Sequence, residues 1–194
     1  KRIPTPWNWC LGQLLEVVMK YKEELIKSMK WLGEKDNTIF LGQATAFSGH
    51  AISGTLSDVP KDKLVELPVM EELQMGMSAG LSLEGFIPIS IYPRFNFMML
   101  SINQLVNHID TMREMTKSQL VPRVITRVAV GAKKPLDGGS QHTQDFTESI
   151  KNMLTDTVVV ELKEPEQIFS AFQDAYYHNG STVLIEWGDY YAEK

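Results

Sequence analysis

The chain has 194 residues, of which 43% are hydrophobic, enough to bury the core of one domain of ordinary size. Its net charge is −5, from 24 acidic and 19 basic side chains without a basic block, which argues against nucleic acid as a partner. The single cysteine, Cys10, excludes an internal disulfide framework and a cysteine-rich zinc site, and it fits a cytoplasmic location.

Apolar runs in this chain are short. None approaches the ~18–20 residues that a membrane-spanning helix needs, so we expect no membrane contact. An apolar stretch begins at Trp7 behind Lys1 and Arg2, but Glu16 interrupts it and no small-residue cleavage site follows. These features favour an amphipathic helix over a signal peptide.

The N-terminal part predicts a helix, because apolar side chains recur there at helical spacing from Leu11 to Met29. We expect residues 1–36 to form a helical segment that packs on a domain spanning residues 37–194. The first strand is predicted at Thr38–Gly42. The long loop that follows, residues 43–63, is rich in Gly, Ser and Asp, and loops of this length are usually functional or mobile.

Strands and helices then alternate. Strands are predicted at residues 64–67, 86–92, 123–130, 157–162 and 182–187, and helices at 70–84, 95–115, 145–154 and 166–178. This alternation predicts a three-layer α/β fold with a mainly parallel sheet and helices on both faces. Sites in such sheets lie beyond the carboxyl ends of the strands, so the loops after residues 41, 67, 91, 130 and 162 are the candidates.

An acidic residue begins the second predicted helix. Glu71 is followed by small residues at Gly76, Ala79 and Gly80, and Gly85 ends the helix before an apolar strand. The segment from residue 67 to 88 resembles the pyrimidine-binding domain of the transketolase family of thiamine diphosphate enzymes. The resemblance implies that Glu71 hydrogen-bonds a pyrimidine nitrogen of the cofactor and so activates it.

Two alternatives to this role of Glu71 stay open at this stage. An acid at a helix start is also favoured simply by the helix dipole, as a solvated side chain. The neighbouring Glu72 is a rival for the same role, although the positions of the glycines favour Glu71. The small residues of the helix allow another helix to approach closely, which is often internal packing, but the resemblance implies contact with a partner subunit.

Aromatic residues lie at the end of the next predicted strand. Tyr92 and Phe95, three residues apart, could hold a flat ring by stacking, and the resemblance implies that they hold the aminopyrimidine ring. The alternative is a pair of core aromatics. Arg94, between them, is less expected in the family and could face an anionic substrate.

A histidine follows a loop that contains glycine. The stretch Gln141-His142-Thr143-Gln144 resembles the Gln-His-Ser-Gln stretch of the beta subunits of 2-oxo acid dehydrogenases, which implies that His142 assists proton transfer on the substrate. The alternative is a polar loop histidine. Weaker candidates are His50, in the long loop, and His108 and His178, which lie in predicted helices.

Other site motifs are missing from the sequence. No G-x-G-x-x-G opens a helix, and no P-loop or H-E-x-x-H motif occurs, so a dinucleotide site, a phosphate loop and a metal site in this chain are not expected. A flavodoxin-like or nucleotide-binding domain is disfavoured for the same reason.

The resemblance covers residues 37–187 and implies a stand-alone pyrimidine-binding domain. Family enzymes also need a Gly-Asp-Gly motif and a downstream asparagine that hold magnesium and the diphosphate, whereas this chain has only Gly188-Asp189-Tyr190. A separate diphosphate-binding subunit carrying the magnesium is therefore expected, in a homodimer or heterotetramer.

The expected substrate is a small molecule, a ketose phosphate or a 2-oxo acid, and these residues do not separate a transferase from an oxidoreductase. The alternative is a non-catalytic assembly or regulatory protein that retains the fold.

Overall fold

Six strands form one sheet in the computed structural model, which describes residues 20–47 and 51–193. The strand order is β2-β1-β3-β4-β6-β5, and every pairing between these strands is parallel. The strands are β1 (Thr38–Gly42), β2 (Leu64–Glu66), β3 (Ile87–Tyr92), β4 (Ile125–Val130), β5 (Val158–Glu161) and β6 (Thr182–Trp187). Parallel strands require crossover connections, which the helices supply.

Helices cover both faces of the sheet. They are α1 (Tyr21–Gly33), α2 (Glu71–Leu83), α3 (Phe95–Met98), α4 (Ile102–Gln104), α5 (Met112–Met115), α6 (Thr147–Met153), α7 (Pro165–Tyr177) and α8 (Tyr190–Glu193). One core lies under α1 and α7, around residues such as Leu25 and Phe172, and the other lies under α2 to α6, around Met75 and Val128. The predicted three-layer α/β fold with a parallel sheet is confirmed.

The predicted long helix at residues 95–115 is interrupted. Between α3 and α5 the chain passes through a 3₁₀ turn at Met99–Ser101 and a π-helical segment at Leu105–Asp110. The Ser101 hydroxyl donates a 2.7 Å hydrogen bond to the Met98 carbonyl, which competes with the regular helical pattern. At the other end, Asp110 accepts hydrogen bonds from the backbone of residues 155–157, which fixes the position of the π-helical segment.

The N-terminal helix is described only from Tyr21, and its predicted part before residue 20 lies outside the described residues. From Tyr21 to Gly33 it packs on the sheet through Leu25 and Met29. The proposed boundary at residue 36 stays a prediction. The long loop contains two short 3₁₀ turns, and α8, which the sequence did not predict, follows β6.

Candidate functional site

The neighbouring strands β2, β1, β3 and β4 end at one edge of the sheet. Their register pairs Gly42 with Glu66 on one side and with Ile91 on the other, and it pairs Tyr92 with Val128. The segments that carry Glu71, Arg94 and His142 leave this edge, as expected for parallel strands.

Glu71 is the first residue of α2, and it is only 6% exposed. Its carboxylate has no hydrogen-bond or ion-pair partner among the described residues, and it lines a groove of about 610 Å³. The groove walls are apolar and exposed at Val69, Met70 and Leu100. A buried carboxylate without a hydrogen-bond partner is energetically costly, so a ligand in the groove that hydrogen-bonds Glu71 would be favoured.

The rival acid lies differently. Glu72 is exposed, and its Oε1 accepts a 3.1 Å hydrogen bond from Nε2 of Gln104. The two adjacent carboxylates therefore differ in both burial and partners. This difference favours Glu71 as the functional acid, and the assignment stays a prediction.

A glutamine that the sequence did not indicate anchors α2 to the sheet. Nε2 of Gln74 donates to the Ser90 hydroxyl and to the Ile91 carbonyl, both at 3.0 Å, and it lies 3.4 Å from the Leu41 carbonyl. These partners lie at the carboxyl ends of β1 and β3. Gln74 thus holds the first turn of α2, with Glu71, above the end of the sheet.

Tyr92 lies at the end of β3 and is fully buried. Its hydroxyl donates a 3.3 Å hydrogen bond to the Glu71 carbonyl and accepts one of 3.4 Å from Ser90. Burial raises the pKa of Tyr92 to about 12, and the nearby Glu71 charge adds to this increase, whereas the neighbouring hydroxyls of Ser101 and Ser90 act to lower the pKa. The tyrosine therefore stays a neutral hydrogen-bond donor at physiological pH.

Phe95 is also fully buried, and its ring meets Phe146 edge-on at 5.6 Å between centroids. Tyr92 and Phe95 both belong to the core between the sheet and α2. In the described chain they pack as core aromatics, the alternative that the sequence left open. Their role in holding a cofactor ring stays a prediction.

His142 lines a second and smaller pocket of about 220 Å³, together with Gln43, Arg94 and Phe97. Its ring meets the ring of Phe97 edge-on at 5.6 Å. The Nδ1 atom is buried and has no hydrogen-bond partner among the described residues. Glu71 lines the 610 Å³ groove and not this pocket, so the structure brings the two predicted catalytic residues to one edge of the sheet but to different cavities.

A second carboxylate that the sequence did not indicate organises the loop after β1. Glu66 accepts hydrogen bonds of 2.7 to 2.9 Å from the backbone N–H groups of Ala44, Thr45 and Ala46. Desolvation by burial would by itself raise the pKa of Glu66. The hydrogen bonds outweigh this effect and hold the pKa of Glu66 below its ordinary value. The interaction holds Ala44 in a left-handed conformation with φ of 60°.

The Gly188-Asp189 pair has a structural role in this chain. Oδ1 of Asp189 accepts hydrogen bonds from the backbone N–H groups of Lys133 and Lys134, at 2.7 and 3.1 Å. Asp189 therefore ties the loop after β4 to the end of β6.

Three other features concern possible ligands and membranes. Among residues 20–47 and 51–193, no group of three His, Cys, Asp or Glu side chains is arranged to hold a metal ion. Within the same ranges, no helix is long and apolar enough to cross a membrane. His50 lies outside the described residues, and His108 is exposed.

Known proteins resemble this chain in sequence and in fold. The beta subunit of the mitochondrial pyruvate dehydrogenase E1 component of Saccharomyces cerevisiae is 31% identical over 137 residues, which cover 66% of this chain and 36% of that protein. The 3-methyl-2-oxobutanoate dehydrogenase subunit beta of Mycobacterium tuberculosis is 25% identical over 145 residues, which cover 72% of this chain and 39% of the relative. No family model matches.

A solved structure described as a split-gene transketolase in an inactive beta4 tetramer has the same fold. It gives a TM-score of 0.67 at 18% identity and covers 87% of this chain and 51% of that one. The chain thus spans little more than a third of the length of the curated relatives it matches. The chain is thus similar in sequence to the beta subunits of 2-oxo acid dehydrogenases and in fold to this split-gene transketolase, which confirms the resemblance that the sequence predicted.

Proposed function

We propose that this chain supplies the pyrimidine half of a thiamine diphosphate site, in an enzyme that acts on a ketose phosphate or a 2-oxo acid. The observation that carries this proposal is the Glu71 carboxylate, which is almost fully buried, has no partner among the described residues and lines the 610 Å³ groove. A partly buried acid can share its proton with a ring nitrogen instead of water, and this arrangement fits the cofactor's pyrimidine.

The residues around Glu71 would hold and orient that ring. Gln74 and Tyr92 fix the first turn of α2 on the sheet, so the carboxylate keeps its position when a ligand enters. When bound, thiamine diphosphate supplies a carbon nucleophile for a substrate carbonyl. Tyr92 and Phe95 are the predicted aromatic support of the ring, and His142 is the predicted proton donor or acceptor for the substrate.

A partner subunit would complete the site. On the outer face of α2, a Cβ atom added at Gly76 or Gly80 would meet nothing within 4 Å in the described chain. Leu73 and Met77 on the same helix are exposed. An apolar helix face with small residues admits a second helix at close range, so this face is the proposed contact with a partner. The predicted partner binds the diphosphate and its magnesium.

The test combines assembly and turnover. The tagged full chain is purified from native extract with thiamine diphosphate and magnesium, and its partners are identified by mass spectrometry. We expect a protein with a Gly-Asp-Gly motif and a downstream asparagine, and cofactor-dependent turnover of a 2-oxo acid or ketose phosphate by the reconstituted pair. A reconstituted pair without turnover on either substrate class would contradict the proposal and favour a non-catalytic assembly role.

A further inference from the structure

The 220 Å³ pocket beside His142 differs from the Glu71 groove in its chemistry. Six of its lining residues define it here: Gln43, Ala44, Ile52, Arg94, Phe97 and His142. Among the described residues, the lining contains one permanent cation, Arg94, and no carboxylate. A pocket with one guanidinium, an amide, an imidazole and apolar walls matches a small anion with a short carbon chain.

Arg94 is half-buried, and only one of its guanidinium nitrogens donates a hydrogen bond to a described residue. Its Nη1 donates a 2.6 Å hydrogen bond to the carbonyl of the adjacent Pro93, which orients the guanidinium. No ion pair to Arg94 is found among residues 20–47 and 51–193. Because a guanidinium presents five N–H groups in a planar fork, the remaining donors can bind two oxygens of one oxyanion.

The backbone holds Arg94 and His142 close together. A Cβ atom added at Gly131 would lie 1.9 Å from the His142 carbonyl oxygen and 2.9 Å from Cδ of Arg94. A Cβ atom at Gly138 would lie 2.9 Å from Cβ of His142. Only glycine fits at either position, so the end of β4 and its loop bring the two side chains to one place. The Phe97 ring, edge-on to His142, restricts the imidazole further.

We propose that this pocket binds the anionic group of the substrate, a carboxylate or a phosphate, with Arg94 as the specificity-determining residue. The planar fork of Arg94 binds the oxyanion, and Gln43 and His142 lie beside it as further hydrogen-bonding groups. The identification of the anion as the substrate's own group rests on the proposed function. Anion binding to the chain by itself does not.

Binding is tested on the full chain by isothermal titration with pyruvate, with inorganic phosphate and with the neutral hydroxyacetone, and the His142 imidazole signal is followed by NMR. We expect an anion to shift the His142 signal and hydroxyacetone to leave it unchanged. Arg94→Gln should weaken anion binding about 10-fold to 100-fold, the loss expected for charge-assisted hydrogen bonds. Arg94→Lys keeps the positive charge but lacks the planar fork, so its anion affinity should lie between those of the wild type and Arg94→Gln. Binding of pyruvate alone assigns the anion to a 2-oxo acid, and binding of phosphate assigns it to a ketose phosphate.

Lys133→Gln is the matched control, because Lys133 is an exposed cation outside the pocket. It should change affinity less than about 2-fold, as screened surface charges do. Equal loss in Lys133→Gln and Arg94→Gln, or no anion binding by a chain that melts normally, would overturn the proposal.

Turnover of the reconstituted enzyme separates this proposal from the proposed function. If anion binding depends on Arg94 but no cofactor-dependent turnover is found, the anion site stands and the proposed function fails. If turnover is found, Arg94→Gln should raise KM about 10-fold to 100-fold with a smaller change in kcat. An unchanged KM in that variant would reject the substrate role while the proposed function stands.

Discussion

The hydroxyl of Tyr92 lies 3.3 Å from the main-chain carbonyl of Glu71 and donates a hydrogen bond to it. A residue at the end of β3 thereby fixes the first residue of α2, which carries the proposed functional acid. The contact joins residues 21 positions apart in the chain. The position of the Glu71 carboxylate thus depends on the sheet as well as on its own helix.

Tyr92→Phe should lower the free energy of unfolding by about 1–3 kcal/mol, because it leaves the ring in place and removes the two buried hydrogen bonds of the hydroxyl, each of which contributes about 0.5–1.5 kcal/mol. Urea unfolding of the full chain measures this change. Tyr177→Phe is the control, since Tyr177 is 69% exposed. If both variants unfold alike, the hydroxyl of Tyr92 contributes nothing measurable to stability, and the prediction is wrong.

Glu71→Gln should reduce turnover of the reconstituted enzyme by ~10²–10⁴-fold, the usual range for a general acid–base group. The amide keeps the size of the side chain but cannot share a proton with a ring nitrogen. Glu72→Gln is the matched control one residue away, and it should retain turnover within a few-fold because Glu72 is exposed. Near-normal turnover by Glu71→Gln would contradict the assignment of Glu71 as the acid that activates the cofactor.

Gly80→Leu should weaken assembly with the partner while the chain itself folds. The space beside Gly80 is open in the described chain, and leucine has a higher helix propensity than glycine by up to about 1 kcal/mol. Ser170→Leu, on the exposed side of α7, is the control for an added apolar side chain. Sedimentation of the reconstituted complex measures assembly, and an intact complex with Gly80→Leu would remove α2 from the interface.

Asp110 should make the stability of the chain depend on pH. Desolvation by burial would by itself raise the pKa of Asp110, but hydrogen bonds from Thr157 and Thr155 outweigh it and hold this pKa below its ordinary value. A depressed folded-state pKa stabilises the protein above the unfolded value of about 3.9, and this stability is lost as pH falls through the folded value. The advantage of wild type over Asp110→Asn in urea should therefore be largest near pH 7 and shrink below about pH 4. A constant difference across this range would contradict the prediction.

Arg127→Met should lower the free energy of unfolding by about 3–5 kcal/mol, because it leaves the Glu186 charge buried without its ion-pair partner, although the Tyr191 hydroxyl still donates a hydrogen bond to it. Both side chains are fully buried, and Nη2 of Arg127 donates a 2.9 Å hydrogen bond to Glu186. The double variant Arg127→Met/Glu186→Leu removes both charges and should be more stable than the single variant. Chemical denaturation of the three proteins checks this order, and a double variant less stable than the single one would contradict it.

Local sequence patterns were sufficient to locate the strands of the sheet. Residues with strand-forming side chains between glycine-containing turns predicted Thr38–Gly42 and Thr182–Trp187 at their observed bounds. Other strands and helices differ by one or two residues at their ends, where capping and fraying decide the boundary. The helix at residues 95–115 was predicted as continuous because its apolar spacing is helical, but the contacts of Ser101 and Asp110 that interrupt it are not visible in that spacing.

The sequence by itself determined the fold class, the resemblance to the transketolase family and the position of Glu71 at a helix start, because these follow from periodicity and from motifs within short segments. Only the tertiary structure showed that Glu71 is buried without a partner among the described residues while Glu72 is exposed, and that Tyr92 and Phe95 lie in the core. It also showed that Arg94 and His142 line one pocket beside Gly131. Burial and hydrogen-bond partners depend on residues far apart in the chain, and the crossovers of a parallel sheet decide which of them meet.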